Sequence, residues 1–267
     1  MIQLGCCTGL PVDAQSRARV LQIRDAGFDY VEYGCQDAVR LSAADRAEVL
    51  RFTREAGIAC RAMNCFLPGS LPVVGPEADP GKVKEYLDAA FPAAGEFGAE
   101  VIVFGSGAAR RTPPGFPPEI VWMQLVGFLR LAEHYGARYG IDIAIEPLCR
   151  AECNTLNTLM DAYRLAADAG RPHIRLLADF YHFQRSGEDL TDILSAGTLL
   201  RHCHIANKMD RGFPREETRA EHAAFFAMLR RAGFAGGVSI EGGSASFAED
   251  IRRAGRLLRE LRDGKSC

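Results

Sequence analysis

Four side chains in the second half of the chain, Glu146, Asp179, His204 and Glu241, share one local grammar. Each closes a short apolar segment, and the plainest case is 174–183, Ile-Arg-Leu-Leu-Ala-Asp-Phe-Tyr-His-Phe. A near-continuous apolar run reads as a strand buried on both faces, so burial explains the run but not its polar tip. Three carboxylates and one imidazole brought to one place would bind a divalent cation. An oxygen-rich set with a single imidazole favours manganese first, then cobalt or magnesium. Zinc suits it less, because closed structural zinc sites draw on more sulfur or nitrogen. The competing reading is that acids at strand tips cap helices or pair with Arg150, Arg201 and Arg211. One such acid fits that reading well; four on consecutive strands do not.

A cation held this way polarises a carbonyl and steadies an enediolate, while a neighbouring carboxylate removes or returns the proton on the adjacent carbon. Glu146 and Glu241 are separated by two intervening strands and can face a substrate from opposite sides, as a stereochemical inversion requires. They are therefore the candidate catalytic bases as well as metal ligands. His182, three residues after Asp179, is placed to reach a substrate oxygen. Glu152 can accept from a substrate hydroxyl, and Arg211 can donate to a hydroxyl or carbonyl oxygen. His202 shares a strand side with His204 and stands behind it. His134, His173 and His222 fall in or beside helices and read as surface residues. Trp122 and Phe66 are either an apolar wall for a small substrate or ordinary packing.

The segments that must position these groups alternate regularly. Strands are expected at 2–7, 30–34, 58–66, 101–105, 141–147, 174–179, 199–205 and 237–241. Helices are expected at 15–27, 42–57, 80–98, 119–140, 158–170, 188–196, 216–233 and 245–261. Ser42 is a natural cap, Asp79-Pro80 a natural helix start, and Pro92 with Gly95 predicts a kink or break in the third helix. Eight such units in 267 residues point to one domain spanning the chain, a closed (β/α)8 TIM barrel of α/β class whose site lies where the strands end. An open doubly wound sheet is the alternative. It would need fewer units, and no Gly-x-Gly-x-x-Gly follows the first strand. Gly105-Ser106-Gly107 lacks the spacing and lysine of a nucleotide-phosphate loop. Long loops at 67–80, 105–118 and 208–215 leave the strands on the expected site face.

A formal charge of −2 argues against a nucleic-acid partner and gives no attraction to an anionic membrane. No run approaches the length of a membrane span, and the first strand begins directly after Met1, so a cytoplasmic protein without a leader is expected. Nine cysteines without a framework of short spacings read as reduced thiols. Cys6, Cys35, Cys60, Cys65 and Cys203 are expected to be buried beside strands, and Cys267 exposed. A homodimer or homotetramer is the default assembly.

The phrase Ile145-Glu146-Pro147-Leu148, followed by Arg150, Glu152 and Asn157-Thr158, adds a further signal. With Asp179 and His182, His204, Arg211 and Ser239-Ile240-Glu241, it resembles the xylose-isomerase-like barrel superfamily. Within that superfamily it is similar to the ketose 3-epimerases that act on free sugars such as tagatose, psicose and ribulose. The resemblance implies that Glu146, Asp179, His204 and Glu241 bind the metal and that Glu146 and Glu241 are catalytic. It also implies that Glu152, His182 and Arg211 contact the sugar, and that a free ketose is epimerised at C3 through a cis-enediolate. Two positions depart from the pattern. Cys149 stands where many relatives have asparagine, and Arg211 follows His204 by seven residues where those epimerases use six. The same layout serves aldose–ketose isomerases, hydroxypyruvate isomerase and inosose dehydratase. Apurinic endonucleases also share the barrel, but they need several metals and many histidines. A noncatalytic sugar-binding barrel would not need two opposed bases. Gly242-Gly243-Ser244 is a weak phosphate nest with no adjacent basic residue in sequence, so an unphosphorylated substrate is expected.

Overall fold

The computed structural model describes residues 1–264. Its strands are β1 (Gln3–Cys7), β2 (Tyr30–Gly34), β3 (Ala59–Asn64), β4 (Val101–Phe104), β5 (Asp142–Ile145), β6 (Ile174–Asp179), β7 (Leu200–Ile205) and β8 (Gly237–Ile240). The helices are α1 (Ala14–Asp25), α2 (Cys35–Arg40), α3 (Ala43–Ala56), α4 (Pro80–Phe97), α5 (Pro118–Tyr139), α6 (Leu159–Ala169), α7 (Phe180–Ser186), α8 (Asp192–Ala196), α9 (Arg219–Arg231) and α10 (Phe247–Arg262). All strand pairs are parallel and β8 closes onto β1, giving the expected (β/α)8 barrel. Parallel neighbours need crossover connections, which is why helical segments separate the strands.

Period-two alternation organises the barrel interior. Tyr30, Ala62, Val101, Val103, Ala144 and Leu177 form a buried apolar plug inside it, distinct from the larger core between strands and helices. Two residues further along the same strands come Glu32 from Tyr30, Glu146 from Ala144 and Asp179 from Leu177. The register then sets Asp179 directly beside His204. The polar layer therefore rests on an apolar floor, and the alternation that buries Leu177 also turns Asp179 inward.

Local chemistry sets the helix ends. The Ser42 hydroxyl accepts from Asp45 N, Asp79 accepts from Gly81 N and Lys82 N with Pro80 in the first turn, and Thr158 forms a capping box with Asp161. The break expected near Pro92 is not found, since α4 runs unbroken to Phe97. Phe91, Ala93, Ala94 and Phe97 are buried around the proline, and that packing outweighs one lost backbone bond. Two short helices, α2 and α7, lie where no helix was expected. α7 begins directly at the end of β6 because the Asp179 carboxylate accepts from Tyr181 N at 2.7 Å and His182 N at 3.2 Å. The helix expected over 188–196 shortens to α8, and the one expected from 216 opens as a 3-10 turn, Glu216–Thr218.

Cys6, Cys35, Cys60 and Cys203 are buried free thiols, but Cys65 is exposed. β3 ends one residue earlier, and Cys65 turns out in the left-handed region at φ 49. His222 is also corrected, being buried on α9 with its Nε2 3.0 Å from Asn207 Oδ1. Cys267 lies outside the described residues. Among those residues, no helix is long and apolar enough to cross a membrane.

Candidate active site

His204 is the hub of the polar layer. Its Nδ1 lies 3.3 Å from Glu146 Oε1, 3.7 Å from Glu241 Oε2 and 4.0 Å from Asp179 Oδ2. Glu146, Asp179, His204 and Glu241 each offer one ligand atom, and these atoms lie within 4.8 Å of one another. Thus β5, β6, β7 and β8 deliver the four sequence-predicted ligands to one point at the strand ends.

The electrostatics show what this point requires. Burial and the charges of Glu146 and Glu241 push the Asp179 carboxyl up to about 8. Burial works against a charged His204, but Glu32, Glu241 and Glu146 outweigh it and hold the imidazole well above its ordinary pKa. Carboxylates gathered around one nitrogen demand positive charge, either a proton there or a divalent cation in its place. The three-oxygen, one-nitrogen donor chemistry fits such a cation. The backbone makes room for the Glu146 carboxylate, because a Cβ on Gly105 would run into its Oε2. The cluster is a site for a divalent metal.

Both sequence readings of the acids hold in part. Asp179 caps α7 through Oδ1 while Oδ2 faces the cluster. Glu241 accepts from Arg211 Nη2 at 2.7 Å and from Asn64 Nδ2 at 3.1 Å. Arg211 also donates to Glu152 at 3.0 Å and lies 4.8 Å over the Tyr181 ring. It occupies the left-handed region at φ 48, a strained conformation that holds it over the strand ends. Arg201 is committed elsewhere, donating to Asp142 and Glu100 at the opposite ends of the strands, and Arg150 is exposed.

His182 has a defined tautomer. Its Nδ1 accepts from the Cys149 backbone N–H at 3.2 Å, so Nε2 carries the hydrogen. That Nε2 is buried without a hydrogen-bond partner, 3.7 Å from Glu152 Oε2 and 3.9 Å from Asp179 Oδ2. Burial lowers the imidazole pKa to about 4, leaving a neutral donor aimed at the site. The cysteine at 149 does not disturb this bond, which uses only its backbone.

Several residues were not anticipated. Glu32 on β2 is fully buried between the two histidines of β7, with Oε1 2.9 Å from His204 Nε2 and Oε2 2.9 Å from His202 Nε2. Its signal was present, since an acid within Tyr-Val-Glu-Tyr-Gly repeats the grammar of the other four. Arg110 gave no such signal because it sits in a long loop. It is fully buried and donates to Phe104 O at 2.9 Å and Glu146 O at 2.6 Å, pinning the end of β5. Phe66 packs against Phe91 and Phe128, and Trp122 donates to Asp168, so neither forms a wall of this site. The Gly243-Ser244 segment lines a separate groove of about 850 Å³ that does contain arginines, Arg253 and Arg256 among them. Sequence distance hid them. Asp210, Asp250 and Glu260 share the groove, and the Ser244 hydroxyl is bonded to Asp250 at 2.6 Å.

A family profile described as xylose isomerase-like TIM barrel matches residues 20–262. The 3-dehydro-D-guloside 4-epimerase of Escherichia coli (strain K12) is 36% identical over 115 residues, 43% of this chain and 43% of that protein. That similarity therefore spans less than half of either chain. The ketose 3-epimerase of Arthrobacter globiformis is 29% identical over 253 residues, 92% of this chain and 84% of that one. Among solved structures, D-allulose 3-epimerase from Methylomonas sp. in complex with D-allulose superposes with a TM-score of 0.84 at 20% identity, covering 97% of each chain. At that identity the likeness is one of fold. Closed barrel, metal-ligand cluster and profile agree, and the chain belongs to the xylose isomerase-like TIM barrel family.

Proposed function

We propose that this chain is a metal-dependent epimerase that inverts C3 of a free ketose. The observation that carries the reading is the placement of two carboxylates, Glu146 from β5 and Glu241 from β8, around the same imidazole. The arrangement is consistent with the metal-dependent mechanism of the epimerases it resembles. A divalent metal held by Glu146, Asp179, His204 and Glu241 would supply polarisation of the substrate carbonyl, and manganese suits that donor set best. One glutamate takes the proton from the carbon beside the carbonyl, and the other returns a proton to the opposite face of the resulting cis-enediolate. Neutral His182 donates through Nε2 to a substrate oxygen. Glu152 accepts from a hydroxyl, and Arg211, which bridges Glu152 and Glu241, donates to a hydroxyl or carbonyl oxygen of the sugar.

An unphosphorylated substrate is part of this reading; the groove at Gly243-Ser244 mixes arginines with acids, and the Ser244 hydroxyl is already bonded to Asp250. The one-imidazole donor set of Glu146, Asp179, His204 and Glu241 does not suit phosphodiester hydrolysis, which favours a small-molecule partner over nucleic acid. The free cysteines fit a reducing cytoplasm, and a symmetric homodimer or homotetramer is the expected assembly, read by light scattering.

A second reading has its own support in the Escherichia coli relative, named for inversion at C4 beside a 3-keto group. The proton chemistry is the same, and only the substrate differs. Proton–deuterium exchange by NMR in heavy water, with manganese-loaded protein, separates them. The panel is tagatose, fructose, psicose, ribulose and a 3-keto glycoside. Exchange at C3 with the C3 epimer appearing is the expected result, falling about 10²–10⁴-fold in Glu146→Gln and in Glu241→Gln. Exchange at C4 of the glycoside would move the second reading ahead, and exchange at C1 would make the chain an aldose–ketose isomerase.

A further inference from the structure

Beneath the metal cluster lies a buried network that shares His204 with it. Glu32, His202 and His204 are all buried, and the Glu32 carboxylate divides its two oxygens between the two imidazoles at 2.9 Å each. A carboxylate only accepts, so each of those Nε2 atoms must carry a hydrogen. His202 Nε2 lies also 3.4 Å from Ser239 Oγ, which is 2.7 Å from the Tyr30 hydroxyl. There is no slack around it, since a Cβ on Gly237 would run into Tyr30 and come within 3.0 Å of His202 Nδ1.

We propose that Glu32 is a positioning residue for the metal, holding His204 as its Nε2–H tautomer so that the Nδ1 lone pair points at Glu146, Asp179 and Glu241. This rests on the proposed role of His204 as a ligand and is independent of which sugar, or which carbon, the enzyme acts on. The shared acceptor is what makes the device specific. Glutamine has the same shape but only one acceptor oxygen, so in Glu32→Gln two imidazole N–H groups compete for it. One histidine must then change tautomer or lose its bond. If His204 moves its hydrogen to Nδ1, the lone pair that faces the cluster is gone. Outer partners of ligating histidines govern metal affinity by about 10–100-fold.

The test is manganese titration by calorimetry on wild type, Glu32→Gln, Glu32→Asp and the double variant Glu32→Gln/His202→Asn. It is paired with nitrogen-15 NMR of the histidine tautomers in zinc-loaded protein. Expected are a 10–100-fold loss of manganese affinity in Glu32→Gln and a smaller loss in Glu32→Asp, which keeps both acceptor oxygens. The double variant should recover affinity, because the glutamine oxygen is freed for His204 while the amide oxygen introduced by His202→Asn accepts from the glutamine amide. General weakening of the barrel would not be reversed by a second core substitution. Glu32→Gln binding manganese within threefold of wild type would overturn the inference. So would a metal-loaded wild type with His204 hydrogen on Nδ1, a result that needs no variant to fold. Absence of sugar turnover in a wild type that binds manganese normally would count against the epimerase reading alone.

Discussion

His182 shows how a single side chain can be read for function. A buried polar atom with no partner is costly, on the order of 1–3 kcal/mol, so a site that keeps one is holding it for something that binds there. Its Nε2 is such an atom, and the Cys149 backbone fixes which nitrogen donates. His182→Asn should therefore lower kcat/KM for the sugar about 10–100-fold while leaving manganese affinity within about threefold. Steady-state kinetics and calorimetry read the two separately, and a parallel loss of manganese would make His182 part of the metal's support instead. The spacing of three residues from Asp179 made this histidine legible in the sequence, because one turn of helix carries it back over the aspartate it follows. The tautomer was not legible, since the bond that sets it comes from 33 residues away. Arg110 was wholly illegible for a related reason. A basic residue in a loop reads as solvated until the fold closes over it and gives its guanidinium the carbonyls of Phe104 and Glu146.

At the scale of elements, strand ends and helix starts share the same acids. Asp179 terminates β6, caps α7 and faces the metal cluster, so the α7 helix missed from the sequence is a consequence of the very residue that was identified. Periodicity did not reveal α7 because its seven residues hold too few turns to show a repeat. Glu188 behaves similarly. In sequence it reads as a helix start, but it reaches across to accept from Leu159 N at 2.6 Å, at the first residue of α6. Burial, then Asp192 and Asp161, raise its carboxyl from the usual 4.5 to about 7, while the bond to Leu159 opposes them. A group whose folded pKa lies above its unfolded value takes up a proton on folding. Its contribution is complete below the unfolded pKa and is lost as pH rises through the folded one. Stability should thus fall between pH 4.5 and about 7. Glu188→Gln should flatten that part of the profile, as read from urea midpoints at a series of pH values. An unchanged slope would show that Glu188 is solvated.

For the whole molecule, the apolar plug and the metal site are separate layers with separate energetics. The plug of Tyr30, Ala62, Val101, Val103, Ala144 and Leu177 and the surrounding core are apolar, so chelation should leave the helical circular dichroism unchanged. A divalent ion held by this cluster would bind only the folded state, and manganese is the ion to test. At a hundredfold excess over its Kd it should stabilise the barrel by about 2.7 kcal/mol and raise Tm by roughly 5–10 °C. A scanning-calorimetry Tm indifferent to manganese would show that the cluster does not hold it. The sequence by itself determined the eightfold alternation, because burial on both faces of a parallel strand leaves a continuous apolar run. It also marked Glu146, Asp179, His204 and Glu241 as candidates, because a charge at the end of such a run must meet a partner, and the fold brings the four together. Only the tertiary structure decided that Glu32 lies between two histidines 170 and 172 residues away, that His222 is buried and that Cys65 is exposed. Those outcomes depend on barrel closure and strand register, which bring remote segments within hydrogen-bond distance and leave no trace in local spacing.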